Sequence, residues 1–340
     1  MKVLIWGAGA IGGTLGAYFV RAGHDVTLVD TVAEHVEVIA DRGLSITGPI
    51  ETFSVSVPAF TPDQLSGRWD NVLLCTKAHH TETALNELLP HLTKDGYVVS
   101  VQNGLNEQTL ADKLGAAYVI GAFVNFGADY QEPGVIHYGG RGAVVLGELD
   151  GQATPRLKAL HELFLTFDGA AVTTPNIWGY LWGKLAYGAM LFATALTNAS
   201  IADALDHPEY RTLYIALGRE VLHVAAALNV QPEAFNGFDP QAFMPDTPEA
   251  TSQRSIDEMV AFNRRSAKTH SGIWRDLAVR KRRTEVDPQL GAIVQAGQRV
   301  GVATPITEKL IELIHDVEDG RRAQGWDALG ALRHAQLEHV

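Results

Sequence analysis

The chain has 340 residues, long enough for two domains of ordinary size and a large core. Its 27 Lys and Arg against 39 Asp and Glu give a formal net charge of −12, which excludes a general nucleic-acid or anionic-membrane binder because phosphates would be repelled. A single cysteine, Cys75, excludes a disulfide framework and a thiolate metal cluster, and fits a reducing compartment.

Residues 1–6 read as a buried strand that enters Gly7-Ala8-Gly9-Ala10-Ile11-Gly12, a glycine turn opening a helix. A second short strand over 25–29 ends on Asp30, the acid expected about 20 residues after such a turn. Gly7 allows the turn, Gly9 lets a pyrophosphate approach the backbone, and Gly12 lets helix and strand pack closely. The helix N-terminus adds unpaired N–H groups and a partial positive charge. This pattern predicts dinucleotide binding. A carboxylate at Asp30 accepts ribose hydroxyls and repels a 2′-phosphate, and Thr31-Val32-Ala33 supplies no arginine beside it, so NAD(H) is favoured. Lys77 leaves NADP(H) open, since an amine beside the adenosine would tolerate the extra phosphate.

A helix follows to about residue 42, then a hairpin through 44–47 and 52–57. Residues 71–76 form an apolar run of the kind buried in parallel sheets, followed by Lys77 and a helix to about residue 92. Residues 96–101 and 118–126 are further strands, and 135–138 with 143–147 read as an antiparallel extension. Gly7, Asp30, Lys77 and Asn103 all stand at strand carboxyl ends, where open parallel sheets bind ligands. Lys77 is otherwise an ordinary helix N-terminal residue, though cations are unfavourable at that positive end.

Beyond about residue 175 the spacing is helical, over 177–198, 209–228, 252–268, 288–300 and 304–318. An α/β N-terminal Rossmann domain (doubly wound, mostly parallel, residues 1–174) followed by an all-α domain (175–340), with a cleft between them, is the predicted fold. In the first of these helices Leu181, Lys184, Leu185, Gly188 and Phe192 are read as one face. Lys184 there either snorkels to solvent or sits in a cleft, where desolvation lowers its pKa and suits it to proton transfer. Glu285, just before a helix, is either functional or an N-terminal capping carboxylate.

The basic run Arg280-Lys281-Arg282-Arg283 reads as a solvated helix end. The 13 histidines include no pair at ligand-like helical spacing, so no metal site is expected. No serine lies in a nucleophile elbow. The opening residues lack the pattern of a signal peptide, and the most apolar stretch, 185–197, is too short to span a bilayer. A cytoplasmic enzyme with a small-molecule substrate, and no nucleic-acid or membrane partner, is the expectation.

Six short pieces, taken in order, form a pattern: Gly7 to Gly12; Thr76-Lys77-Ala78; Gln102-Asn103-Gly104; Pro133-Gly134-Val135-Ile136-His137; Trp182-Gly183-Lys184-Leu185; and Arg283-Thr284-Glu285-Val286-Asp287. In this order and spacing the chain resembles the ketopantoate reductase (2-dehydropantoate 2-reductase) family along nearly its whole length. The resemblance implies reduction of a 2-oxo acid to a 2-hydroxy acid by hydride from nicotinamide, and a homodimer. It implies Lys184 as the general acid and Asn103 near nicotinamide ribose and substrate. It also implies Lys77, Ala128 and Glu285 at cofactor-contacting positions, with Glu285 among the catalytic set. Where family members carry asparagines four and eight residues after the lysine, this chain has Gly188 and Phe192. Ser271-Gly272 replaces the usual serine step. These departures, with Asp30, point to a paralogue with a bulkier or more apolar carbonyl or alcohol substrate at Gly188, Phe192 and Ser271. A genuine NADPH-dependent 2-dehydropantoate 2-reductase and a non-catalytic dinucleotide sensor are the alternatives.

Overall fold

The computed structural model describes residues 1–235, 237–265 and 269–338. The chain divides into two compact units, Met1–Ile177 and Trp178–Val340.

The first unit is built on parallel strands whose apolar runs bury both faces. Its strands are β1 (Lys2–Trp6), β2 (Asp25–Val29), β3 (Leu44–Thr47), β4 (Phe53–Val55), β5 (Ala59–Phe60) and β6 (Trp69–Leu74). They continue with β7 (Leu92–Ser100), β8 (Val119–Val124), β9 (Gly127–Glu132), β10 (Val135–Gly140), β11 (Val144–Glu148) and β12 (Val172–Thr173). Among the described residues the large sheet has the order β12-β11-β8-β7-β6-β1-β2-β5. The strands from β8 to β5 in that order run parallel, and β11 lies antiparallel to β8. Strand order reverses between β1 and β6, so the sheet's topological switch point lies at the ends of those two strands.

The helices α1 (Ala10–Arg21), α2 (Ala33–Arg42), α3 (Thr81–Leu88), α4 (Asn106–Leu114) and α5 (Pro155–Leu165) complete this unit. Hydrophobic clusters on the two sheet faces form its core: one gathers Ile5, Phe19, Leu28, Val99 and Phe164, the other Leu4, Trp6, Trp69, Leu85 and Val98. Glycine lets α1 lie close to the sheet, since a Cβ on Gly16 would come within 2.8 Å of Leu28 Cδ2.

The predicted antiparallel extension holds for 143–147, where β11 runs antiparallel to β8, and is corrected for 135–138. β11 joins the large sheet, whereas β10 pairs with β9 and β3 in a second sheet of order β4-β3-β10-β9. Gly142 breaks the run: a Cβ there would lie 2.0 Å from the Asn125 carbonyl oxygen, so the chain crosses between sheets at a point closed to side chains. β9 runs from half-buried to exposed with no buried face, which hid it from a hydrophobic pattern.

The second unit is helical. Its elements are α6 (Ile177–Thr194), α7 (Ile201–Asp206), α8 (Arg211–Ala227), α9 (Glu249–Arg265), α10 (Gly272–Ala278), α11 (Ala292–Val300), α12 (Pro305–Glu318) and α13 (Trp326–Glu338). The predicted end of α9 at residue 268 lies outside the described residues. Long-range polar contacts fasten the bundle. Glu220 of α8 accepts the N–H groups of Ile306 (3.0 Å) and Thr307 (2.7 Å) at the start of α12, two donors that a helix leaves without partners. Asn263 of α9 donates to the buried Tyr187 hydroxyl on α6 at 3.1 Å. Among the described residues, no helix is long and apolar enough to cross a membrane.

Candidate functional site

The glycine turn stands where β1 meets α1, at the switch point. Gly7 has φ +100, and its N–H donates to Val29 O at 2.8 Å, tying the turn to β2. Gly7, Ala8 and Gly12 are buried, whereas Gly9, Ala10 and Ile11 are partly exposed. A Cβ on Gly9 would meet nothing within 4 Å; one on Gly12 would lie 2.0 Å from Gly7 O. Six residues expected to hold a cofactor therefore divide into three that face outward and three that make the turn fold.

Asp30, at the end of β2, accepts the Ala8 N–H on Oδ2 (2.9 Å) and the Val32 N–H on Oδ1 (3.0 Å). Its carboxylate is oriented by backbone yet keeps lone pairs for ribose hydroxyls. The Ala8 N–H is thus engaged within the turn, on Asp30.

Lys77 and Asn103 follow the ends of β6 and β7, and a buried amide joins their loops. Gln102 Nε2 donates to Thr76 O (3.0 Å) and to the Thr81 hydroxyl (2.9 Å). Thr81 Oγ1, with one proton to give, lies 2.7 Å from Ala78 O and 3.0 Å from Asn106 Oδ1, and Asn106 donates to Asn103 O (2.7 Å). Lys77 is half-buried before a short 3₁₀ turn, and the Asn103 side chain is exposed. Ala128 lies elsewhere: it sits on β9 of the small sheet opposite Tyr138 and packs against the core.

In the helical unit, α6 presents a half-buried stripe of Tyr180, Lys184, Gly188 and Leu191. Phe192, expected on that face, is 0% exposed and belongs to the core with Leu181 and Leu185. Helix geometry explains the correction. At about 100° per residue, Gly188 and Leu191 lie within about 40° of Lys184, whereas Phe192 lies about 80° away. Gly188 leaves real space, since a Cβ there would meet only Gln289 Oε1, at 3.9 Å. Ser271 is 3% exposed, and its hydroxyl caps α10 by accepting the Trp274 N–H at 3.1 Å.

Glu285 is half-buried between neighbours that α12 clamps from both sides. The buried Glu318 carboxylate accepts the Thr284 N–H and hydroxyl, both at 2.7 Å, and pairs with Arg283 at 2.8 Å. His315 lies 2.8 Å from Glu318 and 2.9 Å from Asp287. The basic run is thereby reassigned from a helix end to a loop whose arginines are used internally. Arg280 and Arg282 pair with Asp276, and Arg283 with Glu318 and Asp319.

This clamp has a defined pH window. Burial pulls the His315 pKa down, but hydrogen bonds to Glu318 and Asp287 outweigh it and leave it raised. Burial pushes Glu318 up, yet the Thr284 amide, Arg283, the Thr284 hydroxyl and His315 leave it lowered. The His315 contribution is complete below its ordinary value of about 6.5 and fades as pH rises through the raised one. That of Glu318 is complete above about 4.3 and fades as pH falls through the lowered one. His315→Gln is expected to lower Tm by roughly 2–4 °C near pH 5.5, with a deficit that shrinks in alkali. Thermal melts of both proteins across pH check this, and a constant deficit would refute the clamp's ionic character.

Sequence reasoning missed Leu191, the bridging role of Gln102, and the His315–Glu318 clamp. Only the 3.6-residue period could have found Leu191; the others depend on partners distant in sequence.

Comparison with known proteins matches this arrangement. The family model Ketopantoate reductase PanE/ApbA covers residues 3–151, and Ketopantoate reductase PanE/ApbA C terminal covers residues 176–318. A 2-dehydropantoate 2-reductase of Pyrococcus horikoshii is 27% identical over 319 residues, spanning 92% of this chain and 96% of its own. The structure of a PanE/ApbA family ketopantoate reductase from Ralstonia eutropha JMP134 superposes with TM-score 0.79 at 28% identity, over 94% of this chain and 99% of that one. D-mandelate dehydrogenase in complex with NADH superposes with TM-score 0.79 at 25% identity, over the same shares of the two chains. With both halves matched, the chain belongs to the ketopantoate reductase family of oxidoreductases.

Proposed function

We propose that this chain is an NAD(H)-dependent oxidoreductase interconverting a 2-oxo acid, or a related carbonyl, and the corresponding 2-hydroxy acid. The observation that carries the cofactor choice is Asp30, a carboxylate oriented at the end of β2 by the Ala8 and Val32 amides. It would accept the adenosine ribose hydroxyls and repel a 2′-phosphate. Gly9, Ala10 and Ile11 are partly exposed at the N-terminus of α1, where backbone N–H groups would receive a pyrophosphate. A bound nicotinamide would supply or take up hydride. Lys184 is proposed to deliver the proton to the carbonyl oxygen, and to act as base in the reverse direction. Asn103 is proposed to orient ribose and substrate, and Lys77 and Glu285 to contact the cofactor, with Glu285 also serving the catalytic set. The NADH complex of D-mandelate dehydrogenase, a relative acting on a 2-hydroxy acid with a bulky side chain, supports this reading. A homodimer is proposed as its solution state.

Lys77 and the names of relatives such as the Pyrococcus horikoshii enzyme favour a second reading, NADPH-dependent reduction of 2-dehydropantoate. Steady-state rates with both reduced cofactors, ketopantoate, and 2-oxo acids bearing methyl, isopropyl and phenyl side chains separate the two. Preferred turnover of ketopantoate with NADPH would overturn the first. Asp30→Ala is expected to shift the NADPH/NADH ratio of kcat/KM upward by about tenfold or more, the scale of a charged hydrogen bond. Taking the ratio cancels any general loosening of the turn. An unchanged ratio would mean that Asp30 is not the determinant.

A further inference from the structure

The peptide unit between Ala8 and Gly9 is gripped from one side by a residue with no assigned role. His35, on α2 and 1% exposed, places Nε2 2.9 Å from the Ala8 carbonyl oxygen. Its Nδ1 receives the Gly134 N–H at 2.9 Å. A backbone N–H only donates, so Nδ1 is the bare nitrogen and Nε2 carries the proton given to Ala8. Gly134 is held in turn. It has φ +74, its carbonyl accepts the Ser45 N–H at 2.8 Å, and a Cβ on it would lie 2.5 Å from Val38 Cγ1. The Tyr130 ring meets His35 edge-on, with centroids 5.0 Å apart.

We propose that His35 is a positioning residue for dinucleotide binding, setting the direction of the Gly9 amide; the inference rests on the NAD(H)-binding reading above. In a trans peptide the carbonyl and the N–H of one unit point in opposite directions. Drawing the Ala8 carbonyl toward α2 therefore turns the Gly9 N–H the other way. Gly9 is partly exposed, and a Cβ on it would meet nothing within 4 Å, so a phosphate has room to approach. Accepting a hydrogen bond at the carbonyl also polarises the amide and makes its N–H a better donor to an anion. The preceding peptide is fixed by the Ala8 N–H donating to Asp30. The Pro133-Gly134 turn thereby gains a purpose far from its own sheet: its amide selects the tautomer that holds the cofactor loop.

Two substitutions divide the imidazole's functions. His35→Asn keeps a polar atom near the Nδ1 position and can still receive the Gly134 N–H, but reaches Ala8 no longer. His35→Gln keeps a donor near the Nε2 position. Dissociation constants for NADH are measured by fluorescence, beside kcat at saturating NADH with whichever 2-oxo acid the wild type turns over. Asparagine is expected to weaken NADH by about fivefold or more, the scale of a buried carbonyl left unpaired. Glutamine is expected to stay within about twofold of wild type, with kcat retained in both. Equal affinities for the two variants, or a loss confined to kcat, would overturn the proposal. Should either variant fail to fold, ¹⁵N NMR of the histidines in the unaltered protein decides: the Nε2–H tautomer at His35 supports it, and Nδ1–H refutes it. Wild-type protein that binds neither NADH nor NADPH would instead remove the cofactor reading itself.

Discussion

Lys184→Met is expected to lower kcat by roughly 10²–10⁴-fold, the range in which a positioned acid or base contributes to catalysis. The methionine keeps most of the unbranched apolar stem of the lysine and removes the ammonium, with its charge and its proton. It sits on the half-buried stripe of α6 with Tyr180, Gly188 and Leu191, a position that tolerates an unbranched side chain without disturbing the core face of Leu181, Leu185 and Phe192. Affinity for NADH, measured by fluorescence titration, should stay within about twofold, because the dinucleotide turn belongs to the first unit. A variant that keeps its turnover would strip Lys184 of the proposed role and return it to a surface lysine. One that loses NADH binding and turnover together would point to a structural role instead.

Two glycines of the same turn are expected to fail differently. Gly9→Ala places a methyl where nothing lies within 4 Å, on a backbone with φ −68, so the fold should be kept or slightly stabilised. That methyl would occupy the approach to the outward amides, and NADH affinity should fall by at least about tenfold, equivalent to about 1.4 kcal/mol. Gly12→Ala puts its methyl 2.0 Å from Gly7 O and 2.9 Å from both Cys75 Cβ and Ile5 Cγ2. Backbone and two core side chains must then move, and a loss of about 3 kcal/mol or more in stability is expected, the upper end of overpacking. Urea unfolding and NADH titration of both variants make the comparison. If Gly9→Ala bound NADH normally, the pyrophosphate would have to lie elsewhere.

Much of the first unit was readable because its signals are local. Apolar runs of strand length, a glycine turn and an acid at the next strand's end occur within thirty residues of one another. Period alone placed Lys184 on a helix, but it mistook which neighbours share its face. Leu191 lies about 20° from Lys184 round the helix and Phe192 about 80°, a difference that a tally of apolar positions does not resolve. The capping of α10 by the Ser271 hydroxyl was not read from the sequence, because the helix it caps was not. The short helices α7 and α10 went unread because six or seven residues show less than two full periods.

By itself, the sequence determined the glycine turn, the alternation of strand and helix, the helical second half and the acid that closes the second strand. Each follows from spacing along the chain, and backbone geometry converts spacing into structure directly. Tertiary structure alone decided which residues support those parts. His35 meets Gly134 across 99 positions, Gln102 meets Thr76 across 26, and Glu318 reaches Thr284 across 34. Buried polar groups need partners, and folding can supply them from any distance in sequence. The turn proposed to hold the cofactor is thus written in six consecutive residues, while its orientation depends on a histidine and a second sheet that no local pattern connects to it.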